Sequence, residues 1–196
     1  MFIYGGTLEC NTFDDGINVA DSIVIAGGQV YCNSVDNDGI DSNGSITISG
    51  GIVASVNQNR PNESFDAVKG LFRIKGGIVF GIGSGAVEVK ISLVPCYSTP
   101  YDEEISHIGG LILTEGKYIC VMDSDKVIMA LRNENQSLRT FLTVSHPSLL
   151  DGGQYHIREG DLPIDTSQSL FDKKMVFGGH SNKAYPIVNI QAQTNY

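Results

Sequence analysis

Ser45-Ile46-Thr47-Ile48-Ser49-Gly50-Gly51-Ile52-Val53-Ala54-Ser55 alternates apolar and polar residues on both sides of a Gly-Gly pair, and it follows the acidic segment Asn37-Asp38-Gly39-Ile40-Asp41. Alternation with period two is the pattern of a β-strand. The glycine pair reads as the corner between two short strands, because a sharp turn needs positive φ or close backbone approach. The same phrase precedes it as Ser22-Ile23-Val24-Ile25-Ala26-Gly27-Gly28-Gln29-Val30-Tyr31-Cys32 and follows it as Leu71-Phe72-Arg73-Ile74-Lys75-Gly76-Gly77-Ile78-Val79-Phe80-Gly81. A shortened copy, Met1 to Cys10, opens the chain.

The second glycines fall at Gly6, Gly28, Gly51 and Gly77, at intervals of 22, 23 and 26 residues. Aligned on them, Ile23, Ile46 and Phe72 share a column, as do Ile25, Ile48 and Ile74. After the corner, Leu8, Val30, Val53 and Val79 match. Ile17 and Ile40 form a third inward column, preceded by Gly16 and Gly39. One such repeat cannot bury its own apolar face, but stacked copies bury it for one another. The expected fold is all-β: a parallel β-helix of about 22–26 residues per turn over residues 1–85. The leucine-asparagine pattern of a leucine-rich repeat is missing, and no Asn-Gly hairpin turn joins these strands as a sandwich would require.

Residues 86–196 carry a different pattern. Lys117 to Met122 and Lys126 to Leu131 flank a tight turn at Asp123-Ser124-Asp125, and strands are expected over Leu138–Val144, Gln154–Arg158, Lys174–Phe177 and Ile187–Ile190. An array needs its open end closed, so this region is expected to be an antiparallel β cap packed on the helix. The polar stretch from Pro95 to Ile108, with Tyr101-Asp102-Glu103-Glu104, reads as a loop. Asn57-Gln58-Asn59-Arg60-Pro61-Asn62 expands the third repeat and is expected to bulge from the body, as a tolerated insertion or as part of a binding side.

The loops carry Asp14-Asp15-Gly16-Ile17-Asn18 and Asp36-Asn37-Asp38-Gly39-Ile40-Asp41. Alignment stacks Asp15 on Asp38 and Asn18 on Asp41, with Asp66 next in line. Stacked carboxylates repel unless a cation, donor or water separates them, and calcium takes six to eight oxygen ligands. Asp14, Asp15, Asp36, Asp38, Asp41 and Asp66 are therefore the candidate metal ligands, with calcium the expected ion. Asx-turn chemistry accounts for the same residues without a metal. The outward columns are Glu9, Tyr31, Ala54 and Phe80 beside Thr7, Gln29, Ile52 and Ile78. Tyr31 is a candidate stacking platform for sugar rings. The apolar members Ile52, Ile78 and Phe80 are expected to lie under the downstream region.

The charge balance is 13 basic against 22 acidic residues, net −9, which disfavours nucleic acid and anionic membrane surfaces. No apolar run is long enough to cross a bilayer. Cys10 and Cys32 occupy equivalent positions in consecutive repeats, compatible with a buried thiol ladder or with a disulfide. His107, His146, His156 and His180 are scattered after the repeats and suggest no metal or triad site. The chain opens inside a strand with no secretory signal before it, so it is expected to be a fragment of a longer protein.

Asp38-Gly39-Ile40-Asp41 followed by Ser45 to Val53 resembles the repeat of bacterial extracellular carbohydrate-binding β-helix proteins, the clostridial cellulose- and polygalacturonate-binding family. The segment Gly116–Gly160, with Met122-Asp123-Ser124-Asp125, is similar to that family's closing hairpin region. The resemblance implies a right-handed parallel β-helix, an extracellular or cell-surface location, calcium, and binding of an acidic sugar polymer or glucan. Asp15, Asp38 and Asp41 match its acidic loop by position; Asn18 and Phe65-Asp66-Ala67 depart from it.

The expected function is thus non-catalytic polysaccharide binding, assisted by calcium, with Tyr31, Arg60, Arg73 and Lys75 as carbohydrate contacts. A polysaccharide lyase is the enzymatic alternative: calcium would neutralise a uronate and a Lys or Arg base would take the α-proton. Lys69, Arg73, Lys75 and Arg60 are the available bases, but no stacked basic residue faces the Asp15–Asp38 column. A purely structural surface or adhesin segment is the third reading.

Overall fold

The computed structural model describes residues 1–59, 61–100, 110–181 and 185–196, the last segment by backbone alone at 185–187. The first turn comprises β1 (Phe2–Ile3), β2 (Thr7–Thr12) and β3 (Ile17–Val19). The second comprises β4 (Ser22–Ile25), β5 (Gln29–Ser34) and β6 (Ile40–Ser42), and the third β7 (Ser45–Ile48), β8 (Ile52–Asn57) and β9 (Phe65–Ala67). A fourth begins with β10 (Leu71–Ile74) and β11 (Ile78–Gly83). Like strands stack in parallel: β1-β4-β7-β10 form a first sheet, β2-β5-β8-β11 a second and β3-β6-β9 a third. This is a parallel β-solenoid, and no helix occurs among the described residues.

The registers are those the glycine alignment dictates. Ile23 pairs with Ile46, Ile46 with Phe72, Val30 with Val53 and Val53 with Val79. These side chains and those of Ile25, Ile48, Ile74, Ile40 and Phe65 are buried inside the coil. Each fully buried side chain of this size stabilises by about 1.5–3 kcal/mol, which is what holds short strands in register. The corner glycines Gly6, Gly28, Gly51 and Gly77 have φ of 80°, 86°, 82° and 84°. Cys10 and Cys32 pair across β2 and β5, and both thiols are free.

The rest of the chain closes the coil in two ways. β12 (Val89–Ser98) continues the first sheet by parallel pairing to β10, with Lys90 as an extra residue between Val89 and Ile91. It then crosses Pro95 and pairs antiparallel with a later strand, Phe141–Ser145, which itself runs antiparallel on β11. Between them in the sequence lie β13 (Tyr118–Asp123) and β14 (Lys126–Arg132); Phe141–Ser145 is β15. β16 (Gln154–Gly160), β17 (Gln168–Leu170), β18 (Met175–Phe177) and β19 (Tyr185–Gln191) follow, and β20 (Gln193–Asn195) pairs with β12. The order β17-β18-β14-β13-β16-β19 gives a six-stranded antiparallel sheet.

Three expectations need correction. The stretch from Pro95 is not all loop: Pro95 to Ser98 belong to β12, because a proline costs no ladder bond where a strand changes partner. Residues 101–108 of that expected loop lie outside the described residues. β15 does not join the cap sheet but terminates the solenoid. The segment from Asn57 does not bulge freely. Asn57, Asn59 and Asn62 donate side-chain amides to the carbonyls of Asn37, Val35 and Asp36 one turn below, at 2.7, 2.7 and 2.8 Å. Asn57 also accepts from the Ser84 hydroxyl at 2.9 Å, and its carbonyl accepts from Asn135 at 2.7 Å, tying the array to its cap.

The antiparallel sheet lies over the outer face of the second sheet. Tyr31, Ala54, Val56, Phe80 and Ile82 share one core with Ile119, Val121, Met129, Leu131, Ile157, Met175 and Phe177. Ile52 and Ile78 pack against that core, as their apolar character requires.

Candidate functional site

The third sheet builds the most unusual surface of the molecule. Ile17, Ile40 and Phe65 point inward and align, so the residue two before each aligns too: Asp15, Asp38 and Glu63. The residue after each forms a second ladder, Asn18–Asp41–Asp66. Close approach sets this geometry. A Cβ on Gly39 would stand 2.0 Å from Ser55 Oγ and 2.8 Å from the Ser64 carbonyl, so only glycine lets this strand enter so tightly.

Within the first ladder Asp15 and Asp38 each accept the main-chain amide of the next turn. Asp38 N–H donates to Asp15 Oδ1 at 3.0 Å, and Glu63 N–H donates to Asp38 Oδ1 at 2.5 Å. Asn18 Nδ2 donates to Asp15 Oδ2 at 2.5 Å. In the second ladder Asp41 is 9% exposed, and its Oδ1 is buried and accepts no hydrogen bond.

Five carboxyl groups thus share one edge, and among the described residues no salt bridge reaches any of them. Burial, then the charge of Asp66 and Asp38, pushes Glu63 up to about 8. Burial pushes Asp38 up to about 6 with help from Asp66, Asp15 and Asp41, against the opposing bond from Glu63 N–H. Burial, then Asp15 and Asp66, pushes Asp41 up to about 6. Asp66 is raised by burial and by Asp15. A hard divalent cation or protons would relieve this repulsion. Among the described residues no three acidic, thiol or imidazole groups converge on one point. The donor set is all oxygen, and the orphaned Asp41 Oδ1 lacks a partner; both fit a calcium-type ion.

Asp14 and Asp36 stand apart. Asp14 is exposed and its Oδ1 accepts from Asn37 Nδ2 at 2.8 Å, an Asx-type link between turns. Asp36 is exposed beyond the two ladders. Glu63 is the ladder member that the repeat reading missed. Ser64 and Phe65 replace the Gly-Ile pair of the earlier turns and hide the alignment, although counting two back from the inward residue recovers it.

The sugar-facing expectation for Tyr31 fails. Its ring is fully buried against Phe171, with centroids 5.3 Å apart, and Lys174 Nζ lies 4.6 Å from its centroid. The apolar cap covers this column because Ala54 and Phe80 above it demand cover. Arg73 lies on the outer side of the first sheet, half-buried, in register with Thr47, and Lys75 is exposed just beyond β10. Neither belongs to the acidic ladders. Arg60 lies outside the described residues.

Above β9 the solenoid has no fourth strand of its third sheet among the described residues, whereas β12 and β15 extend the other two. An open cleft of about 1550 Å³ occupies that corner. Glu63, Asp66, Tyr97, Thr99, Gln193 and Asn195 are among its lining residues. No protein-family model matches this sequence, and no curated protein or solved structure shows significant similarity to it.

Proposed function

We propose that this chain is a non-catalytic, calcium-assisted polysaccharide-binding module of an extracellular or cell-surface protein. The observation that carries the proposal is the carboxyl edge of Asp15, Asp38, Glu63, Asp41 and Asp66, with the buried, unpartnered Asp41 Oδ1 and, among the described residues, no salt bridge to any of the five. The resemblance of the repeat at Asp38–Val53 to carbohydrate-binding β-helices supports the same reading. A calcium-type ion bound along this edge would cancel the repulsion among Asp38, Asp41, Glu63 and Asp66 and fix the edge beside the cleft, with backbone carbonyls or water completing its oxygen ligands.

A lyase reading needs a basic side chain at the same edge to remove a proton. Arg73 and Lys75 belong to the first sheet, and Lys69, exposed just beyond β9, makes no salt bridge to the edge among the described residues, so binding without chemistry is the favoured reading. The test is retention on insoluble polysaccharides with calcium and with a chelator. Calcium-dependent retention without release of unsaturated uronate products supports the module. Product formation would support the lyase, and failure to bind any glycan would leave a structural segment.

A further inference from the structure

We infer that the outer face of the first sheet is a glycan-binding face for a linear acidic polysaccharide, with Phe2 and Tyr4 stacking on pyranose rings and Arg73 and Lys75 receiving carboxylates. It rests on the polysaccharide-binding reading and places the glycan on a different face from the carboxyl edge.

Three observations converge on this face. First, it is uncovered among the described residues. The outward residues Tyr31, Ala54 and Phe80 of the second sheet are buried under the cap, whereas no outward residue of β1, β4, β7 or β10 is buried. The registers set Phe2, Val24, Thr47 and Arg73 in one column. The strand-to-strand hydrogen bonds of Ala26, Ser49 and Lys75 set Tyr4, Ala26, Ser49 and Lys75 in the next.

Second, one end of the face carries exposed aromatic rings. Phe2 is 66% and Tyr4 74% exposed, and their rings lie 6.1 Å apart with planes 5° from parallel. Both project to the same side of one strand, so a single extended ligand meets both. Val24, Ala26, Thr47 and Ser49 follow with short side chains that leave the face flat. Third, the charge is one-sided. Arg73 and Lys75 end the two columns, three strand spacings or about 14 Å from the aromatic pair. Neither makes a salt bridge among the described residues. No carboxylate occupies an outward position of β1, β4, β7 or β10, in a chain of net charge −9.

Exposed aromatic faces stack on the apolar faces of sugar rings, and guanidinium and ammonium groups donate charge-assisted hydrogen bonds to carboxylates. A ligand that satisfies both ends needs repeated rings and repeated carboxylates along one chain. A uronate polymer supplies both, and a neutral glucan supplies only the rings. The carboxyl edge belongs to the third sheet, so calcium there acts on the fold and does not bridge protein to uronate.

The test is calorimetry of the whole chain, in calcium, with a galacturonate hexamer and the same hexamer methyl-esterified, which keeps the rings and removes the charge. The acid is expected to bind about three- to tenfold tighter than the ester, a margin that shrinks with added salt. Phe2→Ala with Tyr4→Ala is expected to weaken both ligands about tenfold. Arg73→Gln with Lys75→Gln is expected to abolish the margin and leave the ester unchanged. All four side chains face outward, so melting temperatures near the parent's verify each fold. Equal binding of acid and ester by the parent, no binding of either hexamer, or either double variant binding as the parent does would overturn the inference, while retention on insoluble polysaccharide keeps polysaccharide binding in place. A parent dimer that Phe2→Ala with Tyr4→Ala dissolves would also overturn it, because a second copy would then occupy the face. No binding of any hexamer or insoluble glycan would overturn both.

Discussion

Glu63 gives its main-chain amide to Asp38 Oδ1 at 2.5 Å, repeating across the third turn the bond that Asp38 N–H makes to Asp15 Oδ1 at 3.0 Å across the second. A carboxylate therefore serves as a backbone acceptor where the solenoid turns into its third sheet. Asp38→Asn keeps an acceptor oxygen and sheds a charge, so its stability is expected to match or exceed that of the parent without calcium. Asp38→Ala leaves the Glu63 amide without its partner and is expected to cost about 1–2 kcal/mol. Denaturant unfolding of the two variants checks this; equal losses would refute the acceptor role.

The raised carboxyls fix the sign of a pH dependence. Asp38 and Asp41 lie at about 6 and Glu63 at about 8. The unfolded chain ionises these groups near their ordinary values, about 4. The folded state therefore holds the protons more tightly. The cluster's favourable contribution is complete below about pH 4 and is lost as pH rises to about 8. In metal-free buffer, the melting temperature is expected to fall across that window. Glu63→Gln is expected to flatten its upper part. A melting temperature that rises through the window in both proteins would contradict the assignment.

Calcium should reverse that loss. An ion bound only by the folded protein stabilises it by about 2.7 kcal/mol at a hundredfold excess over its dissociation constant. The expected outcome is a higher melting temperature with calcium, a return to baseline with chelator, and a smaller response in Asp41→Asn. A melting temperature indifferent to chelator would remove the metal from the proposal.

Tyr31 offers a test of the cap interface. Its ring is buried in the shared core, but its hydroxyl is buried without a hydrogen-bond partner. Tyr31→Phe removes an unsatisfied polar group and is expected to stabilise by about 1 kcal/mol. Tyr31→Ala opens a cavity beside Phe171 and is expected to cost about 3–5 kcal/mol. Thermal unfolding of the pair distinguishes them; a destabilised Tyr31→Phe would mean the hydroxyl has a partner.

The solenoid was legible because its signal is repetitive: Ile46, Ile48 and Val53 recur at fixed distance from a glycine pair, and every copy corrects the reading of the others. The ladder Asn18–Asp41–Asp66 follows from the same register. Residues that occur once carry no such correction. Tyr31 is amphipathic and alternates outward whether a sugar or a cap lies over it, so only the placement of Phe171 decides its fate. The strand through Pro95 was hidden by a residue that usually ends strands. The asparagines from Asn57 to Asn62 look like a solvent loop, yet each amide can satisfy a carbonyl of the turn below, a relation invisible without the stack.

The antiparallel strand β15 has a consequence for how such an array can vary. Because β15 runs against β11, no further parallel turn can be added at that end. Extra turns would have to arise by duplication within the coil. Each would lengthen the second sheet by one strand, while the cap sheet, which shelters Tyr31 at one side and Phe80 at the other, keeps its width. A duplicated turn would leave an aromatic or aliphatic residue unsheltered. The cap therefore acts as a gauge, admitting the number of turns it can cover and making any change in repeat number depend on a matching change in its own strands.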